Sequence, residues 1–296
     1  MNPSVRILYY HVIADRPSLL FSHGISPRRF ERQIVCLKRL GYRFVALSQA
    51  LSQPQPKTIC LSLDDGFACN NASLLPLLIK HKLRPALFLL GMCIDNRALA
   101  WNHKLQILRN SVPRHLLNQH LCRLIAGADL DNLFQVISMS TKDRLTDELW
   151  ASCMSYDQEE FLQREKPFLS VSQLRTLADN GAELALHSAS HPDFSRLSLQ
   201  EATLELQQNM AAFEQFGLPY HRLFAYPYGR VMSANEDAGL LTATTLQATF
   251  GIRYTLQDNH TTSTLWQRQN MESGPAANFI EFALKPLARS ILAPKP

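Results

Sequence analysis

Thr58-Ile59-Cys60-Leu61-Ser62-Leu63-Asp64-Asp65-Gly66-Phe67 is the stretch on which the fold of this chain turns. Thr58 to Leu63 reads as a short buried strand, and it runs straight into two carboxylates and a glycine. Adjacent carboxylates repel, which is costly unless a cation or a proton sits between them. A shuffled chain of this composition would spell Asp-Asp-Gly only about 0.02 times, so chance is a poor explanation. A turn that uses Asp and Gly for their backbone tolerance is the plainer reading. By itself the stretch leaves both open. In α/β folds the loops at the C-terminal ends of parallel strands carry the chemistry, so the neighbouring strands matter.

Working outward, Arg6 to Ile13 reads as a strand. Ser26-Pro27 then supplies an N-cap and a proline for the first helical position. Phe30, Ile34, Leu37 and Leu40 share one helical face, and Gly41 stops it. Tyr42 to Leu47 and Ala86 to Leu90 read as strands, with Asn70 to His81 helical between them. From Phe168 the alternation resumes. Ser170-x-x-Gln173 and Ser198-x-x-Glu201 are capping-box spellings, and Ala202, Leu206, Met210 and Phe213 share the face of the second helix. Further strands fall at Glu183 to Leu186, Leu223 to Tyr226 and, more weakly, Gly251 to Leu256. Strands separated by helices pair in parallel. Six or seven of them suit a barrel better than an open sheet. The stretch 96–166, rich in Leu, Asn, Gln and Arg, breaks this rhythm and reads as a helical insertion in one domain spanning residues 1–296.

The chain has 296 residues, 46% of them apolar and 19% charged, which excludes a disordered chain. No apolar run reaches the roughly 18 residues that span a membrane. Met1 to Ala14 lacks the basic head and cleavage site of a signal peptide. The expectation is a soluble protein of the cytoplasm. Thirty basic and 25 acidic residues leave a net charge of +5. The basic residues form no stripe interleaved with aromatics, which argues against nucleic acid and leaves room for weak attraction to anionic glycans or membrane surfaces. Cys36, Cys60, Cys69, Cys93, Cys122 and Cys153 form no Cys-x-x-Cys pair, so reduced thiols are expected rather than disulfides or a structural zinc site.

Two more strand ends bear candidate residues. His187-Ser188-x-x-His191 follows the Glu183 strand, and two imidazoles four apart converge on one ion if the turn curls helically. Such a pair arises by chance about 0.3 times, so alone it is weak. With a carboxylate from another strand end it spells an open metal site. Tyr226-Pro227-Tyr228-Gly229-Arg230 could wall a sugar-sized groove, or simply pack as an aromatic turn.

The order and spacing of these segments resemble the NodB-like polysaccharide deacetylases, carbohydrate esterase family four. Ser62-Leu63-Asp64-Asp65-Gly66 is similar to the family's Thr-Phe-Asp-Asp-Gly. His187-Ser188-x-x-His191 matches its His-Ser/Thr-x-x-His, and Ala225-Tyr226-Pro227-Tyr228 approximates its Arg-x-Pro-Tyr. Leu8-Tyr9-Tyr10-His11, Ile25-Ser26-Pro27, Leu40-Gly41-Tyr42 and Gln267-Arg268 look like the Tyr-His branch. The resemblance covers residues 6–95 and 167–285. It implies a distorted (β/α) barrel of about seven parallel strands and metal-dependent removal of N-acetyl groups from amino sugars of a polysaccharide or glycoconjugate. Asp65, His187 and His191 would hold a divalent ion, zinc before others. Asp64 would be the general base, and the Tyr228 N–H would help stabilise the oxyanion. Tyr226, Pro227, Tyr228 and Arg268 are the expected substrate contacts.

Two departures accompany the resemblance. The motif arginine is replaced by Ala225, leaving Arg222, Arg230 or Arg268 to compensate. The late Leu-x-His that supplies the general acid has no match; His260 lies in a polar loop, and His11, ending the first strand, is the candidate acid. Two rival readings stand beside a polysaccharide deacetylase. One is a deacetylase or deformylase of a lipid-linked amino sugar; the other is a catalytically silent sugar-binding scaffold.

Overall fold

The computed structural model describes residues 5–15, 20–21, 24–126, 137–252 and 264–272. Eight strands occur in this range: β1 (Val5–Tyr10), β2 (Arg43–Phe44), β3 (Thr58–Asp64), β4 (Ala86–Leu89), β5 (Glu183–Leu186), β6 (Leu223–Ala225), β7 (Ala248–Ile252) and β8 (Leu265–Asn270). Their order is β1-β8-β7-β6-β5-β4-β3, and β1 pairs with β3 to close a barrel of seven parallel strands. β2 lies outside the ring, paired with the first residues of β3.

Strand alternation sorts the side chains into two layers. Ile7, Cys60, Phe88, Ala185, Leu223, Ala225, Phe250 and Trp266 fill one apolar cluster, the barrel interior. Leu8, Leu61, Leu63, Leu87, Leu184, Phe224 and Tyr226 point the other way and pack with the helices. The phase of this alternation matters for the site. Counting back by twos from Asp64 reaches Cys60, so Asp64 belongs to the interior set; Arg268 does so two residues after Trp266.

The surrounding helices are α1 (Pro27–Arg39), α2 (Leu47–Ser52), α3 (Cys69–His81), α4 (Trp101–Ser111), α5 (Arg114–Leu124), α6 (Met139–Cys153), α7 (Gln158–Glu165), α8 (Val171–Asp179), α9 (Leu199–Gln215) and α10 (Ala234–Thr244). Ser26 caps α1, and complete capping boxes open α8 at Ser170 and α9 at Ser198. Helices α4 to α7 occupy the chain between β4 and α8. Their apolar faces, including Leu105, Leu108, Leu145, Leu149 and Phe161, form a second cluster that reaches the barrel at Phe67 and Phe168. Lys104 ties α4 to α6 by bonds of 2.7 and 2.6 Å to Asp143 and Asp147.

Three strand readings change. The run Tyr42 to Leu47 yields only two strand residues, because α2 begins at Leu47 and buries Leu47 and Ala50 in the barrel-interior cluster. β1 ends at Tyr10 rather than Ile13, since the His11 and Val12 N–H groups donate to the Glu272 carboxylate instead of a neighbouring strand. β7 starts at Ala248, and residues 253–256 of the expected Gly251 to Leu256 strand lie outside the described range. β8 carries no clear apolar alternation and was not expected as a strand.

Candidate active site

Asp64 ends β3 and faces Arg268 of β8 across the barrel. The guanidinium donates from Nη1 to Oδ1 at 2.5 Å and from Nη2 to Oδ2 at 2.9 Å. Both side chains are almost wholly buried. Burial opposes the charge on Asp64, but Arg268 and then His187 outweigh it and hold the carboxyl below its usual range. Arg268 also lies about 5 Å from the Tyr9 and Phe88 ring centres, which fix its plane. Of the three arginines that could stand in for the one missing at Ala225, Arg268 is the one that contacts Asp64. Arg222 and Arg230 do not serve: one donates to Thr244 O and the other to Asp193.

Asp65 follows with φ 67° and Gly66 with φ 76°, so the chain turns sharply and separates the two carboxylates. Ser188 (80°), His191 (64°) and Tyr228 (57°) are also left-handed. Non-glycine residues rarely adopt such angles, and they concentrate where function needs a fixed geometry. Gly229 completes the β6 turn; a Cβ there would meet Ile252 Cβ at 2.5 Å.

His187 extends the inward phase of β5. Its Nδ1–H donates to Ala225 O at 2.7 Å, which turns Nε2 to within 3.4 Å of Asp65 Oδ1. Its backbone N–H is held by Leu89 O and by Asn209 of α9. Glu205, also on α9, accepts from Ala189 N, Ser190 N and Ser190 Oγ. That clamp brings His191 Nε2 to 3.6 Å from Asp65 Oδ1. The ligand atoms of Asp65, His187 and His191 all lie within 4.8 Å of one another, and all three residues are buried. Burial disfavours a charge on Asp65, but the imidazoles of His103, His187 and His191 hold it well below the usual carboxylate range. Burial pushes His191 down to about 3, so its ring is neutral as ligation requires. Asp65 Oδ1 and His191 Nδ1 are buried without hydrogen-bond partners among the described residues. An orphaned carboxylate oxygen facing two imidazole nitrogens is the environment a divalent cation satisfies.

His11 reaches the same end of the barrel. Its Nδ1 lies 2.8 Å from Glu272 Oε2, and its ring stacks on Phe21 at 4.3 Å. Burial lowers the proton affinity of His11, but the charge and hydrogen bond of Glu272 outweigh it and lift the pKa to about 9. Glu272 carries no motif and was not anticipated. Neither was His103 of α4, whose Nε2 is 3.9 Å from Asp65 Oδ2, nor Trp101, whose Nε1–H donates to His191 O at 3.3 Å. His260 lies outside the described residues.

The four expected substrate contacts are not placed alike. Tyr228 is 43% exposed and meets the His191 ring edge-on at 4.4 Å. Pro227 is buried beneath it. Tyr226 is fully buried, donating from its hydroxyl to Asp237 at 2.6 Å, because its phase on β6 points outward to α10. Arg268 is enclosed in the barrel and engaged by Asp64. These last two hold the frame instead of lining an open groove.

A family model described as polysaccharide deacetylase matches residues 52–245. The chain belongs to that family. This deacetylase is accordingly a hydrolase of carbohydrate amide bonds. The matched span includes Asp64, Asp65, His187 and His191, whereas His11, Arg268 and Glu272 lie beyond it. No curated protein matches the deacetylase. Among solved structures it is similar to IcaB from Ammonifex degensii, with TM-score 0.62, 16% identity, and 96% and 98% of the two chains covered. It is also similar to the Streptococcus pyogenes deacetylase PplD in complex with acetate (0.58, 14%, 92% and 94%). A de-N-acetylase from Aggregatibacter actinomycetemcomitans compares likewise (0.57, 15%, 93% and 99%). At these identities the likeness is one of fold.

Proposed function

We propose that this deacetylase removes N-acetyl groups from the amino sugars of a polysaccharide or glycoconjugate with the help of one divalent ion, zinc. The observation that carries the reading is the buried meeting of Asp65, His187 and His191 around an oxygen with no other partner. These three residues would hold the ion. When bound, it would polarise the acetyl carbonyl and lower the pKa of water towards neutrality.

The protein's own groups divide the remaining work. Asp64, kept ionised and oriented by the Arg268 fork, takes a proton from the attacking water. The Tyr228 N–H, set by its left-handed turn, donates to the oxyanion of the tetrahedral intermediate. His11, protonated at neutral pH because Glu272 lies beside it, donates to the departing amine. The exposed Tyr228 ring gives a sugar face something to rest on. No described helix is long and apolar enough to cross a membrane, and the six cysteines, all unpaired, suit a reducing compartment. That supports a cytoplasmic location.

The test is acetate release from N-acetylglucosamine oligomers, alongside metal analysis of the same sample. About one ion per chain and sustained release support the reading, and a protein that binds the oligomer without hydrolysing it would be the silent scaffold.

A further inference from the structure

The loop that follows His191 borders a second cleft, of about 410 Å³, whose other wall is the start of α6. Ser138, Met139, Ser140 and Lys142 line one side and Asp193 the other. Lys142 is only 6% exposed, and its ammonium sits 4.6 Å from the centre of the Trp101 ring. The ring covers one side of the cation. Among the described residues Lys142 has no carboxylate or carbonyl acceptor.

The acids around it are already engaged. Asp193 accepts from Arg230 at 2.6 Å and from Ser195 Oγ at 2.6 Å. Glu205 is committed to the His187 loop, and Glu201 to the cap of α9. The Lys142 side chain is mostly buried, its ammonium has no paired anion among the described residues, and it borders an open volume large enough for a sugar ring. Beside it is the first turn of a 15-residue helix. Ser138 Oγ takes the Thr141 N–H, which leaves Met139 and Ser140, both lining the cleft, as first-turn donors. Burial and then the charge of Arg196 hold Lys142 below the usual lysine range, and a bound anion would relieve both pressures.

We propose that this cleft is a subsite for an anionic group, carboxylate or phosphate, carried by the sugar next to the one being deacetylated, with Lys142 as its counter-charge. One loop links the cleft to the reaction centre. Pro192 and Asp193 directly follow His191, and Trp101 beneath Lys142 donates to the His191 carbonyl. A glycan held at both places spans a single loop. The inference rests on the deacetylase reading and narrows its substrate to an acidic glycan.

Binding, not turnover, tests it. Three probes are compared by calorimetry: N-acetylglucosaminyl-glucose, the matching glucuronic acid disaccharide, and the glucose disaccharide phosphorylated on its second sugar. Each is measured on wild type, Lys142→Met and Lys142→Arg. A charge-assisted contact predicts a preference of about 10-fold or more for a charged probe over the neutral one. Methionine should abolish that preference, arginine should keep most of it, and added salt should shrink it. Preference for the uronate alone identifies a carboxylate source, and preference for the phosphate alone a phosphate source. Equal binding of all three probes to wild type, or a preference that survives in Lys142→Met, overturns the proposal. If Lys142→Met fails to fold, Lys142→Gln, which also removes the charge, decides in its place. Acetate release and metal content are read separately, so an inactive protein that prefers the charged probe refutes the enzyme reading and leaves the anion site standing.

Discussion

Asp64 and Asp65 are adjacent, both buried, and built for different work. Asp64 is spent on Arg268, whereas Asp65 Oδ1 faces two imidazoles with no hydrogen-bond partner. Asp64→Asn should therefore retain metal while lowering kcat by about 100- to 10,000-fold. Asp65→Asn should lose metal as well, and equal metal loss in both variants would contradict the division. Arg268→Lys keeps a charge but not the two-pronged grip, so kcat should fall roughly 10- to 100-fold with the fold intact. Arg268→Met leaves Asp64 buried and unpaired and should cost about 3–5 kcal/mol in a denaturation experiment. At His11 the sign is set by a pKa raised from 6.5 to about 9. The protonated acid form persists through neutral pH, and activity should fall as pH rises through about 9. The stability contributed by the His11–Glu272 pair follows the same course, complete below about 6.5 and lost through about 9. Glu272→Gln should move the alkaline limb of kcat towards the ordinary histidine range; an unchanged limb would mean that another group is the acid.

At the scale of elements, much was legible from local rules. Serine caps marked α1, α8 and α9, and the apolar runs of β3, β4 and β5 announced themselves, because each signal is contained within a few residues. The ends of β3 and β5 could be read as a metal site for the same reason. Tyr226 shows a signal that was present but unused: alternation on β6 puts Ala225 inward and Tyr226 outward. β8 is not legible in the sequence because its inward residues are Trp266 and a buried arginine, which break the apolar alternation. Glu272 and His103 were illegible for a different reason. Their partners are 261 and 38 residues away in sequence, and only barrel closure or the packing of α4 brings each pair together. The α9 clamp gives a prediction at this scale. Glu205→Ala frees the Ala189 and Ser190 donors and loosens the loop carrying His191. Metal affinity should fall by about 10- to 100-fold while the melting transition stays cooperative; undiminished affinity would show that the loop holds itself.

For the whole molecule, closure of the ring is what assembles the chemistry. β1 pairs with both β3 and β8, so the first described strand lies between the Asp64 strand and the Arg268 strand. The matched family span, residues 52–245, contains the metal-ligand candidates but not Arg268, His11 and Glu272, to which the proposal gives the steadying of the base and the acid. Those come from the two ends of the chain, and the barrel delivers them to one rim. The helices between β4 and β5 bring Trp101 and His103 against the same rim and leave the Lys142 cleft alongside. In the proposed mechanism this rim hydrolyses acetylated amino sugars only when a divalent ion is held there. The most direct measurement is acetate release from N-acetylglucosamine oligomers by protein stripped with a chelator and then titrated with zinc. The stripped protein should release no acetate, and activity should return in proportion to zinc up to about one equivalent per chain. Full acetate release from protein shown to be metal-free would contradict the account.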